Sequence, residues 1–146
     1  MRGDLQSDAA SVLPLARAAR ELPGLRFMRD PTRGGLATVA HEICRATGLG
    51  VHLDETAIPV REPVRSVCEI LGYDPLYLAC EGRVVAALAP EHADEALRRW
   101  HEMPEGREAA CIGVVEPGRM PVVLRTALGG QRVLEELEHD PLPRIC

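Results

Sequence analysis

Short apolar runs alternate with segments of helical period along this chain, and proline or glycine closes almost every one of them. Strand character belongs to the runs at 25–28, 51–53, 84–88, 110–115 and 122–125. Helical spacing belongs to the segments at 8–20, 31–46, 59–71 and 91–101. Strands and helices that alternate over short connections pack as layers around one core. The pattern therefore predicts a layered α/β or α+β domain with about four helices.

The composition and charge of the chain argue against several classes of partner. The chain has 146 residues, the usual size of one domain, and a formal net charge of −5. All 17 basic residues are arginine, so the chain offers no lysine as a general base or phosphate ligand. The acidic balance argues against a nucleic acid partner, because no basic excess is present to displace counterions. No run approaches the ~20 apolar residues that cross a membrane, so we expect no membrane partner.

Cysteine and histidine spacing predicts no metal site. The cysteines lie far apart, with no CxxC pair, at 44, 68, 80, 111 and 146. This scatter is typical of reduced thiols in a cytoplasmic protein, and we expect that location. The run from His41 to Arg45 begins like the zinc motif HExxH, but Arg45 replaces the second histidine. We therefore expect His41 and Glu42 on a helix surface and assign no metal.

The segment Asp30-Pro31-Thr32-Arg33-Gly34-Gly35 lies between a strand and the second helix. One interpretation is local: Asp30 caps the helix and Pro31 is its first residue. The other is functional, because two glycines in a first turn cost stability unless a backbone or a ligand must come close. Free amides there, with Arg33 beside them, suit an anion or a phosphate. The residues leave both interpretations open.

Helical periodicity also predicts which residues are buried. The second helix, from about Pro31 to Ala46, is expected to bury Leu36, Val39, Ala40 and Ile43. The third helix, ending at Leu71, is expected to have one apolar face formed by Val60, Val64, Val67, Cys68 and Leu71.

The segment Ala79-Cys80-Glu81-Gly82-Arg83 ends a run, Leu76–Cys80, that has strand character. Glu81 is either a solvated turn residue or a carboxylate that core-type neighbours hold at the edge of a cleft. In the second case, partial burial would raise its pKa and make it a proton acceptor near neutral pH.

The last residues of the sequence form a candidate arm. Pro141 and Pro143 exclude a helix, and Arg144-Ile145-Cys146 follows them. A stiff arm with a thiol at its tip suits the delivery of a nucleophile or a tethered group. Arg144 favours the reactive thiolate, whereas the neighbouring α-carboxylate opposes it, so the sequence leaves the net effect open. The alternative is a terminal cysteine with no role; a prenylation box is excluded, since it needs the cysteine four from the end.

Four motifs in one order give this chain a family resemblance. They are RDPTRGGLAT at 29–38, IPVRE at 58–62, LGYDPLYLACEGR at 71–83 and PRIC at 143–146. Together they strongly resemble the HypE family, the hydrogenase-maturation carbamoyl dehydratases of the aminoimidazole ribonucleotide synthetase-related superfamily. The resemblance implies a mixed β-sheet domain like the C-terminal domain of that superfamily over residues 1–137. A flexible tail, 138–146, would follow and end in the carrier cysteine.

The resemblance also implies a reaction and residue roles. A carbamoyltransferase places a carbamoyl group on the Cys146 thiol, ATP with Mg activates the carboxamide oxygen, and loss of phosphate leaves a thiocyanate. Scaffold proteins of hydrogenase maturation then pass the cyano group to the iron of nickel–iron hydrogenase. Glu81 would help take protons from the carbamoyl nitrogen. The nucleotide side of the site would be Asp30, Thr32, Arg33, Gly34 and Gly35, and Pro143 and Arg144 would position the tail.

Two departures from the family pattern limit what is expected of this chain. Its ACEGR replaces the family's ANEGK, so Cys80 and Arg83 change the surroundings of Glu81. The family's N-terminal domain, which binds most of the ATP and forms most of the homodimer contact, has no counterpart in this sequence. We therefore expect the chain alone to be incomplete and inactive. Two alternatives remain open: a non-catalytic docking module in hydrogenase maturation, or another ATP-dependent enzyme of the superfamily with a different acceptor.

Overall fold

The computed structural model describes residues 7–118 and 122–137, where helices and strands alternate as the sequence predicts. The α-helices in these ranges are α1 (Leu13–Arg20), α2 (Gly35–Thr47), α3 (Glu62–Leu71) and α4 (Pro90–His101). The β-strands are β1 (Leu25–Arg29), β2 (Gly50–Asp54), β3 (Val85–Leu88), β4 (Gly113–Glu116), β5 (Val123–Arg125) and β6 (Gln131–Val133).

The strands pair into a ribbon and a larger sheet. In the ribbon β1 runs antiparallel to β3. The larger sheet has the order β4-β2-β5-β6, in which β2 and β5 are parallel and both outer strands run antiparallel to their neighbours. This mixed sheet and the four helices confirm the predicted fold class.

Two hydrophobic cores lie on the two faces of the β1–β3 ribbon. On one face, Phe27 and Val85 pack against α2 and the inner side of the four-stranded sheet. On the other face, Met28 and Ala86 pack against α1 and α4 around Trp100. The Trp100 indole N–H donates to the backbone oxygen of Leu15 at 3.0 Å, so the polar end of this buried ring is satisfied. The ribbon is therefore apolar on both faces because both are covered.

The second helix begins at Gly35, and the predicted start at Pro31 with Asp30 as cap is wrong. Gly34 occupies the N-cap position with a left-handed φ of 67°, and no side chain caps the helix. Burial is confirmed for the predicted residues Val39, Ala40 and Ile43, whereas Leu36 is only partly buried. The expectation that His41 lies on the surface is wrong, because its ring is buried and its Nε2 lies 2.8 Å from the oxygen of Leu134.

The predicted strand at Leu76–Cys80 is also wrong. A short 3₁₀ turn, Pro75–Tyr77, takes its place, and residues 78–84 have no regular structure. The Asp74 carboxylate accepts the Leu76 N–H at 2.9 Å and so caps the turn. Pro75 has no N–H to offer a sheet ladder, and the segment packs against the start of α2 instead.

Candidate functional site

The two adjacent glycines, Gly34 and Gly35, are buried at the start of α2 in left-handed backbone conformations. A Cβ on Gly35 would lie 2.5 Å from the oxygen of Leu76 and 2.6 Å from that of Leu78. Only glycine fits there, since those distances are far inside normal contact and φ is +61°. The close approach of a backbone, one of the two reasons considered from sequence, therefore accounts for Gly35.

The segments Asp30–Gly35 and Ala79–Arg83, which the sequence marks separately, are in contact. The N–H of Cys80 donates to the oxygen of Pro31 at 2.9 Å. Pro31 is itself buried beneath this contact. The fold therefore brings together two of the four family-type motifs at the start of α2.

The side chain of Glu81 is exposed, so the burial that the cleft interpretation requires is not present in this chain. Its backbone N–H donates to Asp8 Oδ2 at 2.9 Å. Across residues 7–118 and 122–137, no hydrogen bond or ion pair engages its carboxylate. The backbone of Glu81 is therefore held, whereas its carboxylate is open to solvent and to any bound group.

Arg83 links this loop to a third motif. Its Nη1 donates to the oxygen of Gly82 at 3.1 Å, and its Nη2 lies 3.6 Å from Glu108 Oε2. The same Glu108 oxygen lies 3.3 Å from Nη2 of Arg61, in the IPVRE segment. All three side chains are about half exposed, so each pair adds little stability in water. The bridge nevertheless gives Arg83, which stands where the family has lysine, a defined partner.

Cys80 is a poor nucleophile in this setting. Burial raises the pKa of its thiol, the negative charge of Asp8 raises it further, and Arg83 only partly opposes them. The Cys80 sulfur also lies 3.5 Å from the oxygen of Leu78, to which it donates. A neutral, hydrogen-bonded thiol is therefore expected at neutral pH.

The remaining predicted site residues have different placements. Asp30 and Arg33 are exposed, and Asp30 lies 4.0 Å from the Arg29 guanidinium, while Thr32 is half-buried. The predicted carrier Cys146 and the tail residues Pro143 and Arg144 lie outside the described residues.

The segment that precedes the tail lies beside the two glycines. The Tyr77 hydroxyl donates to the oxygen of Glu135 at 2.9 Å. A Cβ built on Gly34 would lie 3.2 Å from Leu137 Cδ1. Residues 135–137, which immediately precede the predicted tail, thus lie next to the Asp30–Gly35 segment.

Sequence reasoning missed two residues that shape the site. Tyr77 lies inside the LGYDPLYLACEGR motif, so its position was visible although its contact was not. Asp8 carried no local signal, because its partner is distant in sequence.

Neither candidate segment contributes to the groove beside α3. This groove of about 240 Å³ lies between α3 and the 3₁₀ turn, and its walls include Cys68, Tyr73, Asp74 and Arg132. In the part of the chain that the structure describes, no three His, Cys, Asp or Glu side chains are grouped to hold a metal ion. The described helices also include none with the length and apolar character needed to cross a membrane.

Comparisons with known proteins agree with this architecture. The family model for the AIR synthase related protein, C-terminal domain, matches residues 2–125. The chain is 49% identical over 145 residues to the carbamoyl dehydratase HypE of Cupriavidus necator, an alignment that covers 98% of this chain and 41% of that protein.

Two solved structures share the fold. A crystal structure of the hydrogenase maturation protein HypE in complex with ATP matches with a TM-score of 0.85 and 44% identity, over 96% of this chain and 44% of that one. A crystal structure of a HypE–HypF complex matches with a TM-score of 0.87 and 34% identity, over 94% of this chain and 46% of that one.

The chain thus spans less than half the length of each of these proteins. The similarity confirms the resemblance that the four motifs predict. Because the family model matches most of its residues, the chain belongs to the family of AIR synthase related proteins, in which it corresponds to the C-terminal domain.

Proposed function

We propose that this chain supplies the C-terminal half of an ATP-dependent carbamoyl dehydratase that acts on its own Cys146. The product is a thiocyanate, the source of the cyanide ligand of nickel–iron hydrogenase. One observation carries the proposal: the Cys80 N–H to Pro31 oxygen bond joins the Asp30–Gly35 and Ala79–Arg83 segments next to the residues that precede the tail. These are the segments to which the resemblance gives the nucleotide and proton-transfer roles.

The proposed reaction removes the carbamoyl oxygen as phosphate. The oxygen of Cys146–S–CO–NH₂ takes the γ-phosphoryl group of ATP, and ADP is released. Both nitrogen-bound protons then leave, the C–O bond breaks, and phosphate departs with the oxygen to give Cys146–S–C≡N. Phosphorylation is needed because hydroxide is a poor leaving group. A positioned base speeds the proton loss.

Glu81 is the proposed proton acceptor. Its carboxylate is exposed and unengaged across the described residues, so it is open to a group that approaches from solvent or from a partner domain. With Cys80 held as a neutral thiol by burial and by Asp8, Glu81 is the acidic group of this loop that can take a proton.

Asp30, Thr32, Arg33, Gly34 and Gly35 form the proposed nucleotide side. The left-handed glycines and the first amides of α2 leave donors at this end of the helix, and exposed Arg33 adds a positive charge. ATP with Mg would bind mainly to the family's N-terminal half. The HypE–ATP structure among the similar chains supports the use of this co-substrate.

The position of the residues before the tail supports delivery of Cys146 to this site. Residues 138–146 follow Leu137, which lies against Gly34. An extended chain of that length spans at most about 30 Å. A reach of that length allows the thiol to move far from Leu137, and Pro143 and Arg144 are proposed to set how the tip enters the site.

The partners proposed for this chain follow from the same reaction. They are the carbamoyltransferase that loads Cys146, the scaffold proteins that receive the cyano group, and an ATP-binding N-terminal half through which the whole protein forms a homodimer. The HypE–HypF complex among the similar structures supports the first of these. The proposed compartment is the cytoplasm, where the thiols stay reduced.

Mass spectrometry of the C-terminal peptide tests the proposal. The chain is incubated with the carbamoyltransferase, carbamoyl phosphate and ATP, first alone and then with an ATP-binding half. We expect a carbamoyl adduct on Cys146 in both cases and its conversion to thiocyanate, by loss of one water, only in the second. Exposed Cys111 is the internal control for non-specific modification.

The alternatives give different results in the same experiment. An unmodified Cys146 beside an active transferase would support the docking module, provided that Cys146→Ser still binds the maturation partners. ATP turnover with a product on some other acceptor would support another enzyme of the superfamily. Glu81→Gln with full dehydration activity would remove Glu81 from the proposed mechanism.

A further inference from the structure

The loop Ala79–Arg83 is irregular, yet its backbone at Cys80 and Glu81 is held by hydrogen bonds to other parts of the chain. The Cys80 N–H donates to Pro31 at one end, and the Arg83 guanidinium donates to the oxygen of Gly82 at the other. Between them, Glu81 is held by one bond, from its N–H to Asp8 Oδ2 at 2.9 Å. The Glu81 carboxylate itself is unengaged across residues 7–118 and 122–137, so its location depends on its backbone.

The N-terminal segment Ser7–Ala10, which we call the strap, lies across this loop. Gly82 is buried beneath it, and a Cβ there would lie 2.9 Å from the nitrogen of Ala10 and closer still to the backbone oxygen of Asp8. Asp8 therefore meets the loop twice, through its carboxylate at Glu81 and through its backbone at Gly82. The strap and the loop are separated by about seventy residues in sequence, so this contact belongs to the tertiary fold.

We propose that Asp8 is a positioning residue for Glu81, which it holds in the orientation needed for proton transfer. The inference rests on the function proposed for Glu81. The bond to the Glu81 N–H restrains the peptide plane before Glu81, and the packing of Gly82 beneath the strap restrains the chain after it. Together they limit the directions in which the Cα–Cβ bond of Glu81 can point. The flexible carboxylate then searches a limited volume, and an error of 1 Å in such a position can cost about a hundredfold in rate.

The choice of an aspartate has a physical reason. An ionised carboxylate accepts a charge-assisted hydrogen bond, roughly twice as strong as a bond between neutral groups. This strength matters at an exposed site, where water competes for the same N–H. An asparagine at this position keeps an acceptor oxygen of the same reach without the charge, whereas alanine leaves the N–H to solvent.

The test uses the dehydratase assembled with its ATP-binding half and loaded with carbamate on Cys146. Single-turnover formation of thiocyanate is followed for the wild type and for D8A, D8N, E81Q and the double variant D8A/E81Q. The matched control is D94A, which removes one exposed carboxylate from α4. We expect D8A to lower the rate by about tenfold to a hundredfold with the KM for ATP unchanged. D8N should recover most of that loss, and D94A should match the wild type.

The double variant separates positioning from a general structural role. If Asp8 acts through Glu81, D8A causes no further loss in the E81Q background, whereas a structural defect would multiply the two losses. Carbamoylation of Cys146 by the transferase should be equal in all variants.

Three results would overturn the inference. D8A with wild-type rates beside an inactive E81Q would exclude Asp8 and leave Glu81 in place. Multiplying losses, or a D8A defect already present in carbamoylation, would show that the strap only supports the fold. Full activity of E81Q would remove both the role of Glu81 and the positioning role of Asp8.

Discussion

Helices α2 and α3 have similar amphipathic patterns in the sequence but very different environments in the fold. In α2, seven residues are buried: Gly35, Ala37, Val39, Ala40, His41, Ile43 and Cys44. In α3, Cys68 alone among the described residues is buried, and Ile70 and Leu71 are 63% and 59% exposed. Of the apolar face predicted for the third helix, Cys68 is buried, Val60 and Val67 are half-buried, and Val64 and Leu71 are exposed. The face is therefore only partly covered here.

The difference teaches that periodicity identifies an apolar face but not what covers it. The α2 helix packs on the inner side of the four-stranded sheet, with Leu76 and the β1–β3 ribbon around it. It can approach the 3₁₀ turn because Gly35 has no side chain. Among the described elements, the 3₁₀ turn is the one major neighbour of α3. Burial of α2 depends on two glycines with left-handed backbone at its start, whereas α3 has two exposed apolar side chains near its end.

Gly35→Ala should destabilise the protein most, because it removes the close approach on which the burial of α2 depends. A new Cβ would collide with the backbone oxygens of Leu76 and Leu78 at a left-handed φ, so α2 and the 3₁₀ turn must separate. We expect a loss of about 5 kcal/mol in the free energy of unfolding, at the exceptional end for one substitution. Urea denaturation measures the loss.

Gly72→Ala, at the end of α3, is the matched control. Gly72 has a similar φ of +70°, but nothing lies within 4 Å of the position of its Cβ. Only the conformational cost applies, about 1–2 kcal/mol. Equal losses in the two variants would show that φ, and not the close approach at Gly35, decides the effect.

A pair of isoleucine truncations compares the two helices directly. Ile43 on α2 is 6% exposed and Ile70 on α3 is 63% exposed. Ile43→Ala should cost about 3 kcal/mol through lost burial and a cavity. Ile70→Ala should stay within about 0.5 kcal/mol. Thermal and urea unfolding of both variants measure the contrast, and a cost above 2 kcal/mol for Ile70→Ala would mean that α3 is covered in solution.

The fold class and the burial of α2 could be predicted from the sequence, whereas the exposure of α3 and the start of α2 could not, for physical reasons. The alternation of strand and helix patterns correctly predicted the fold class, and helical spacing correctly predicted burial of Val39, Ala40 and Ile43. The start of α2 was predicted wrongly because local capping rules favour Asp30 as the cap and Pro31 as the first helical residue. The backbone of Leu76 and Leu78, distant in sequence, instead requires Gly35 at the first helical position.

The candidate site also has features that the sequence predicts and features that it does not. The Asp30–Gly35 and Ala79–Arg83 segments could be identified from their glycines, charges and family-type motifs. Their contact through Cys80 and Pro31, and the bond from Glu81 to Asp8, depend on tertiary packing that no local pattern encodes. The role of the terminal Cys146 stays a prediction.

The stability that α2 gains from burial is expected to depend on a buried hydrogen bond as well as on the volume of the packed side chains. His41→Leu removes the partner of the Leu134 oxygen in a buried site, which should cost about 2 kcal/mol. His101→Leu is the control, since that ring also meets a backbone oxygen, that of Ala109 at 2.7 Å, but in an exposed place where water can substitute. If thermal unfolding gives the same small shift for both variants, burial of His41 has no energetic consequence.

The smallest effect is expected at Asp54, where the chain leaves β2 and turns toward the exposed α3. The Thr56 hydroxyl and amide, at 2.6 and 3.0 Å, and the Arg125 guanidinium hold the Asp54 carboxylate ionised and lower its pKa from 3.8 to about 2. A folded-state pKa below the unfolded one means that the stabilisation by ionised Asp54 is complete above about pH 4 and is lost as pH falls through 2.

Asp54→Asn should therefore melt at a slightly lower temperature than the wild type at pH 6, and the two melting temperatures should converge near pH 2. Thr56→Val should shift that convergence to higher pH, because it removes the first of these hydrogen bonds. If the difference in melting temperature between Asp54→Asn and the wild type stays constant from pH 6 to pH 2, ionisation of Asp54 does not stabilise the turn that follows β2.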